Sequence, residues 1–561
     1  MINVIFLLIF CVSIFGFSKE YIDWCVVPNS MIVILFLAII SISLICKRER
    51  IFIPIWFTIS FVLTVVLYVI GDGNCFSQYA LLTGVLSFFL FLGGNVDNRL
   101  LDDKRLARVI PLILVIEAFC GIIQFVQIGQ VVAVKGHFDN TLGFAMTLAF
   151  GIPFLLFVIK NDIKQYRVFA ILALIVVLVA VSLSASRSVL LAAGGCIFLF
   201  GYRFWRNCWS KCNVGVRVFI ILAAIITVFF FYWLKQDSAN GRLLIWGTAL
   251  NMLWDHPWGY GIGGVAREYM NHQAMFLSRV ENCYWLNLTD NVNRVFNEYL
   301  AVGIEFGVWV MFLALILLGY VLKKIFTETD DKNRVCFLLL FIVLFVSLFS
   351  YPLYYPVSWV VIGYSICRLV DNKLFLLKIK STFIVKYCTG MILLSGILYL
   401  CFVLQNQRQW SNVARACLRG ETKALINDFP LLYSKMKYYP MFLYNYGAEL
   451  NYAGQYEASN IILEQYLHKV ADYDAWLLIA DNYQRQDSCF QAIRALQRAV
   501  TMCPGRFYPL YQQMEIFKRL GDKGNAIQMA NAIRMKKVKV PSSNIERMRE
   551  EALVVLKEFE N

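Results

Sequence analysis

Residues 167–203 read RVFAILALIVVLVAVSLSASRSVLLAAGGCIFLFGYR. The apolar runs at 166–183 and 187–203 are each close to the ~20 residues that cross a ~30 Å hydrocarbon core. Only a few serines and one charge, Arg187, separate them, so the stretch predicts two antiparallel membrane helices joined by a tight turn. An arginine at span depth is costly unless it is paired or faces a wet cavity, which marks Arg187 as a functional candidate. Similar runs recur near 2–17, 30–46, 51–71, 76–93, 106–128, 139–159, 214–234, 295–322, 333–350, 354–371 and 382–404, for about thirteen spans. The first has neither a basic leader nor a small-x-small cleavage site, so it reads as a span and not as a signal peptide.

Composition agrees. The 561 residues are 59% hydrophobic and 16% charged, against about 45–50% and 25% in soluble domains. That excludes a string of soluble domains, and it excludes disorder. The net charge of +15 splits into +10 over 1–404 and +5 over 405–561, with no dense basic run, so no nucleic-acid partner is expected. Lys and Arg concentrate in alternate loops: Lys47/Arg48/Arg50, Arg99/Lys104/Arg105/Arg108, Lys160/Lys164/Arg167, Arg203/Arg206/Lys211/Arg217, Lys323/Lys324/Lys332/Arg334 and Arg368/Lys373/Lys378/Lys380. The intervening short loops hold only Lys19, Lys135 and Arg187. By the positive-inside rule the N-terminus is cytoplasmic. An odd number of spans then puts the loop 235–294 and the C-terminal tail together on the other side.

Sixteen cysteines are scattered without a CxxC, and His137, His256, His272 and His468 are not at ligand spacing, so neither a metal site nor a cofactor is expected. After residue 404 hydropathy drops and a period of about 34 residues appears. The clearest unit is Trp476, Ile479-Ala480, Tyr483, Ala492, Leu496, Ala499, Pro504, with related units at Tyr446–Leu463 and Leu510–Ala530. These offsets resemble the tetratricopeptide pattern, in which small residues sit where two helices cross closely. Residues 405–561 are therefore expected to form a helical-repeat domain that holds a protein partner or packs over the membrane domain, 1–404.

Three polar stretches interrupt the apolar pattern: Ser182–Ser188 around Arg187; Gly241-Arg242 through Asp255-His256-Pro257-Trp258-Gly259-Tyr260-Gly261-Ile262-Gly263-Gly264 to Arg267; and Phe296-Asn297-Glu298-Tyr299-Leu300 to Glu305-Phe306-Gly307. The glycine run at Gly261 and Gly263 offers backbone N–H groups to an anion at a helix start. Glu298 and Glu305, seven apart, share one helical face, suited either to acid/base work or to salt bridges with the arginines. Guanidinium forks match phosphate oxygens in pairs, so a lipid with a diphosphate head is a natural substrate.

Together Arg242-x3-Trp246, Pro257–Gly263 and Asn297-Glu298-Tyr299-Leu300-x4-Glu305-Phe306-Gly307 resemble the signature of the O-antigen ligase/polymerase family. Arg187 within Ser-Arg-Ser is similar to that family's membrane arginine, and Gly136-His-Phe-Asp-Asn140 to its Gly-x-Phe-x-Asn segment. The resemblance covers about 130–310 and implies an all-α fold: a polytopic, GT-C-like membrane bundle of about 12–13 spans in the bacterial inner membrane, with a periplasmic α-solenoid of tetratricopeptide-like repeats at the C-terminus. It implies a metal-independent, inverting glycosyltransferase. The donor would be an undecaprenyl-diphosphate-linked glycan and the acceptor a hydroxyl of lipid A–core, protein Ser/Thr or another glycan. Arg187 and Arg242 would hold the diphosphate, with Arg267, Gly261 and Gly263 beside them. Related ligases place a histidine before the asparagine, where this chain has Phe296; Gly307 keeps its spacing but the second glycine is Val310. The proton acceptor is then Glu298 next to Asn297, or a loop histidine, His256 or His272, or the step proceeds with little base assistance. A transporter or a non-catalytic scaffold are the competing classes. The first predicts charged, broken midplane helices, and the second is encouraged by Phe296.

Overall fold

The computed structural model describes residues 2–71, 78–96, 102–128, 134–219, 222, 232–233, 236–279, 283–370, 374–380 and 382–560. The described residues are mostly helical, and among them the only strands form one antiparallel ribbon, Arg50–Pro54 with Phe375–Lys380. Two compact units result. One comprises 1–221, 296–299 and 312–411, and the other 222–295, 300–311 and 412–561. The helix Phe383–Ala416 runs unbroken through residue 404.

The first unit is a membrane bundle. Lys164–Leu183 shows why: it turns Ala170, Ala173, Val177, Ala180 and Val181 inward and leaves Val168, Leu172, Ile175 and Val179 exposed. Small residues inside and large aliphatic ones outside is the pattern of a helix packed against helices and bathed in lipid. Among the described residues seven helices are long and apolar enough to cross a membrane, or eight if Arg187–Phe200 and Tyr202–Lys211, bent by 75°, form one span. That is fewer than thirteen. Ile2–Phe15, Ile55–Ile70 and Pro356–Leu369 are apolar but short; at 1.5 Å per residue they fall under the hydrocarbon thickness. The run 295–322 is broken at Gly307, where φ is +95°, and most of 214–234 lies outside the described residues. Past the bend at Gly201, Tyr202–Lys211 buries nothing and carries Phe204, Trp205 and Trp209 beside Arg203, Arg206 and Lys211. Such a helix suits the membrane interface.

Polar contacts collect the loops of this unit into two sets. In one, Arg108 pairs with Asp162 (2.6 Å), Lys160 with Asp331 (2.7 Å), and both Lys332 and Arg368 with Asp103 (3.3 and 3.1 Å). In the other, Arg408 pairs with Glu20, the Tyr354 hydroxyl donates to Asp23, and the Tyr355 hydroxyl to Asp139. Four of the six charge-biased loops, those at 99–108, 160–167, 323–334 and 368–380, are thus tied together at one end of the bundle.

The second unit joins the loop after 235 to the C-terminal helices. Three helix pairs, Pro440–Tyr452/Tyr456–Leu467, Tyr473–Arg485/Cys489–Met502 and Tyr508–Arg519/Lys523–Met535, precede a last helix, Ser543–Glu560. Within a pair the crossing is close, since a Cβ on Gly447 would lie 2.7 Å from Leu463. Between pairs, side-chain amides register the stack: the buried Asn482 donates to Ser459 and Asn460, and the half-buried Asn451 to Asp481 and Asn482. The loop packs directly on these helices. The buried Gln273 donates to the Met502 and Asp290 carbonyls, Asn291 to Asp472, the Gly505 N–H to Thr289, and Ala471 N–H to the Ala266 carbonyl.

Candidate functional site

In the first unit the turn after Lys164–Leu183 is three residues long. Ser184 closes one helix, Ala185 adopts φ +56°, Ser186 precedes the next helix, and Arg187 is its first residue. A left-handed alanine is strained, and the turn is held by the Ser184 hydroxyl, which accepts from Ser186 N–H. Arg187 is half-buried. It stands at the positive end of its helix, where a cation is disfavoured and an anion is favoured. Two positive features at one point suit a phosphate and offer nothing to the helix itself.

Asn297 and Glu298 open the helix Glu298–Phe306 and are tied to the 348–355 turn. The Asn297 amide donates to the Leu348 carbonyl at 3.0 Å, and Glu298, 5% exposed, accepts from Leu353 N–H at 3.2 Å. Phe296 is left-handed, at φ +53°, and its ring meets Tyr351 at 5.5 Å. The Tyr351 hydroxyl in turn accepts from Asn140, which caps the helix Thr141–Ala149.

Sequence reasoning passed over Glu117, although a carboxylate inside an apolar run is a signal. Its side chain is fully buried, and its two oxygens take the His137 backbone N–H (3.0 Å) and His137 Nδ1 (2.6 Å). With Cys120 the three ligand atoms lie within 4.8 Å of one another. However, 2.6 Å between carboxylate and ring is a hydrogen bond, shorter than the separation of two donors about 2 Å from a shared ion in tetrahedral geometry.

In the second unit the glycine-rich stretch and the 303–308 stretch interlock. Tyr260 N–H donates to the Ile304 carbonyl (2.7 Å), Gly261 N–H to Glu305 (3.0 Å), and Val308 N–H to Pro257 (2.8 Å). A Cβ on Gly259 would lie 2.7 Å from Gly307 N and 2.8 Å from the Glu305 carbonyl oxygen. The N–H groups of Tyr260, Gly261 and Gly264 are therefore used within the protein, and Gly263 caps the helix Gly264–Leu277 at φ +77°. Arg267 bonds the Tyr260 carbonyl and pairs with Glu268. The two loop histidines, distant in sequence, both meet Tyr260: the ring of His256 at 4.6 Å, and Nε2 of His272 at 3.0 Å from the hydroxyl. Burial first, then Asp255 and Glu268, push the Tyr260 phenol up to about 12, so it stays a donor. His272 Nδ1 faces the Glu268 carbonyl at 3.1 Å, and both of its nitrogens are thus engaged. Arg242 lies half-buried on the helix Gln236–Asp255.

The structure thus gathers Arg187, Asn297 and Glu298 into the first unit, and Arg242, His256, Gly261, Gly263, Arg267 and His272 into the second. Residues 172–315 match the family described as O-antigen ligase. No curated protein matches the chain.

Proposed function

We propose that this chain, a member of the O-antigen ligase family through its domain at 172–315, transfers a glycan from an undecaprenyl-diphosphate carrier to an acceptor hydroxyl on the periplasmic face of the inner membrane. The observation that carries the reading is Arg187, half-buried at the first turn of a helix in a membrane bundle, behind a strained alanine. As the acceptor oxygen attacks the anomeric carbon from the face opposite the leaving group, that carbon's bond to the diphosphate oxygen breaks. Negative charge then grows on the diphosphate. A guanidinium fork and a helix N-terminus are preorganised for that charge, so they stabilise the transition state more than the ground state. Inversion follows from the single displacement, and in this reading guanidinium groups, not a metal ion, carry the neutralisation. The repeat helices, locked to the loop of the same unit, suit a macromolecular acceptor or an assembly partner.

The test is glycan transfer in membrane vesicles. Arg187→Ala is expected to lower the rate roughly 100-fold or more with membrane insertion unchanged. Arg187→Lys keeps the charge without the fork and should recover little. Arg242→Ala is assayed alongside. Full activity in both alanine variants would overturn the diphosphate reading. Deletion in the native host, with blots of lipopolysaccharide and of glycoproteins, names the acceptor by which polymer disappears.

A further inference from the structure

Transfer to a hydroxyl leaves one proton to be placed, and three of the four side chains singled out by sequence are poorly free to take it. Glu298 and Asn297 hold the backbone of the 348–355 turn, and His272 has both nitrogens bound. Of the four histidines, His137 alone belongs to the unit that contains Arg187.

Its surroundings are those of a held base. The helix Asp103–Ile128 presents Glu117 and Gln124 on one face. Gln124 takes the N–H groups of Lys135 and Gly136, both at 3.0 Å, and Glu117 takes the backbone and ring of His137. Gly136 is required there: φ is +55°, and a Cβ would stand 2.3 Å from the Glu117 oxygen. Phe17 stacks on the imidazole at 5.2 Å and Phe15 meets its edge at 5.6 Å. The ring is therefore held at its Nδ1 edge by Glu117, on one face by Phe17 and at its rim by Phe15, while 30% of the side chain stays exposed. With the Glu117 carboxylate as acceptor, Nδ1 carries the proton and Nε2 keeps its lone pair. Nε2 has no partner among the described residues.

The loop also sits where the reaction would need it. Val134 N–H reaches the Leu183 carbonyl at 3.4 Å, at the end of the helix whose turn leads to Arg187. Asn140, three residues past the histidine, meets Tyr351, on which Phe296 packs.

We infer that His137, oriented by Glu117, is the general base of the transfer. This rests on the glycan-transfer reading above. Nε2 takes the proton of the acceptor hydroxyl as its oxygen forms the bond to the anomeric carbon. The electron pair of the breaking bond leaves with the diphosphate, and the imidazolium returns its proton to water. Glu117 is a positioning residue: it fixes the tautomer and stabilises the imidazolium. The other titratable groups around the pair are Cys120 on the same helix, Lys135 and Asp139 on the loop, and Asp23 and Cys25 from the N-terminal segment.

The test uses the full chain in liposomes with a lipid-linked glycan donor, measuring donor binding and transfer rate from pH 5 to 9. His137→Ala is expected to lose about 100-fold or more in rate with donor binding intact, and added imidazole should restore part of it. His137→Gln keeps an amide to face Glu117, so it should stay folded and equally slow. The wild-type rate should fall on the acid side as the ring protonates. Glu117→Gln removes the nearby negative charge and should move that limb to lower pH. Wild-type rates in His137→Ala, or an acid limb that persists in it, would overturn the assignment while leaving glycan transfer standing. Rate loss that a chelator reproduces and zinc reverses would overturn it as well. A wild-type protein that binds no lipid-linked glycan removes both readings.

Discussion

Alanine at Gly259 tests the interlock of the two backbone stretches in the second unit. Gly259 has φ +89°, and its missing Cβ would stand 2.7–2.9 Å from Gly307 N and the Glu305 carbonyl. Those neighbours are main chain and cannot rotate away. The left-handed conformation costs an L-residue roughly 1–2 kcal/mol, and forcing a methyl into filled space adds roughly 1–3 kcal/mol. Gly261 provides the control, since φ is +82° with nothing within 4 Å of its Cβ position, so Gly261→Ala incurs the conformational cost alone. In thermal unfolding of the purified protein, with roughly 2–4 °C per kcal/mol for a unit of this size, Gly261→Ala should shift the transition by about 2–8 °C. Gly259→Ala should shift it further, by about 4–20 °C, from the summed costs. The separation between the variants measures the steric part. Equal shifts for both would refute the close crossing of 257–261 over 304–308.

Two further outcomes concern the same unit. Gln273→Leu keeps roughly the same volume but strands the Met502 and Asp290 carbonyls. At about 1–3 kcal/mol for each buried polar group left unmade, the loop should become the first site of limited proteolysis, and an unchanged cleavage pattern would contradict the contact. Burial lowers Lys536 from its ordinary 10.5 to about 8. Between those values the unfolded chain holds a proton that the folded chain has lost, so stability should rise as pH climbs through that window. Lys536→Met should remove the rise, as read from denaturant midpoints across pH 7–11.

What the sequence made legible was whatever depends on a residue and its near neighbours. Apolar runs marked the helices, alternating charges sorted the loops, and the spacing of Gly447, Ala480 and Ala492 anticipated paired helices. Span ends were less legible, because Gly307 breaks a run whose hydropathy continues past it. The glycine stretch at 259–264 reads as an anion cradle when taken alone. Its demand for glycine at 259 comes from backbone nearly fifty residues later, which no local pattern encodes. Glu117 was visible as a charge among apolar residues. Its partner arrives through a loop twenty residues on, and only the fold supplies that pairing.

Two of the three left-handed non-glycine residues among the described ones, Ala185 and Phe296, stand beside the candidate groups Arg187 and Asn297-Glu298. Such conformations cost about 1–3 kcal/mol each and persist only where surroundings over-determine them. Around Phe296 the determinants are visible: the Tyr351 ring, the Asn297 amide on Leu348, and the Glu298 carboxylate on Leu353 N–H. A carboxylate spent on holding a strained turn is poorly placed to accept a substrate proton, because protonating it weakens its hold on the N–H it anchors. The same logic runs the other way for Glu117. Its hold on the imidazole strengthens as the ring becomes cationic, so protonation of His137 tightens the local structure where protonation of Glu298 would loosen it. That difference in sign, more than proximity, assigns the proton to the histidine and the scaffold to the glutamate.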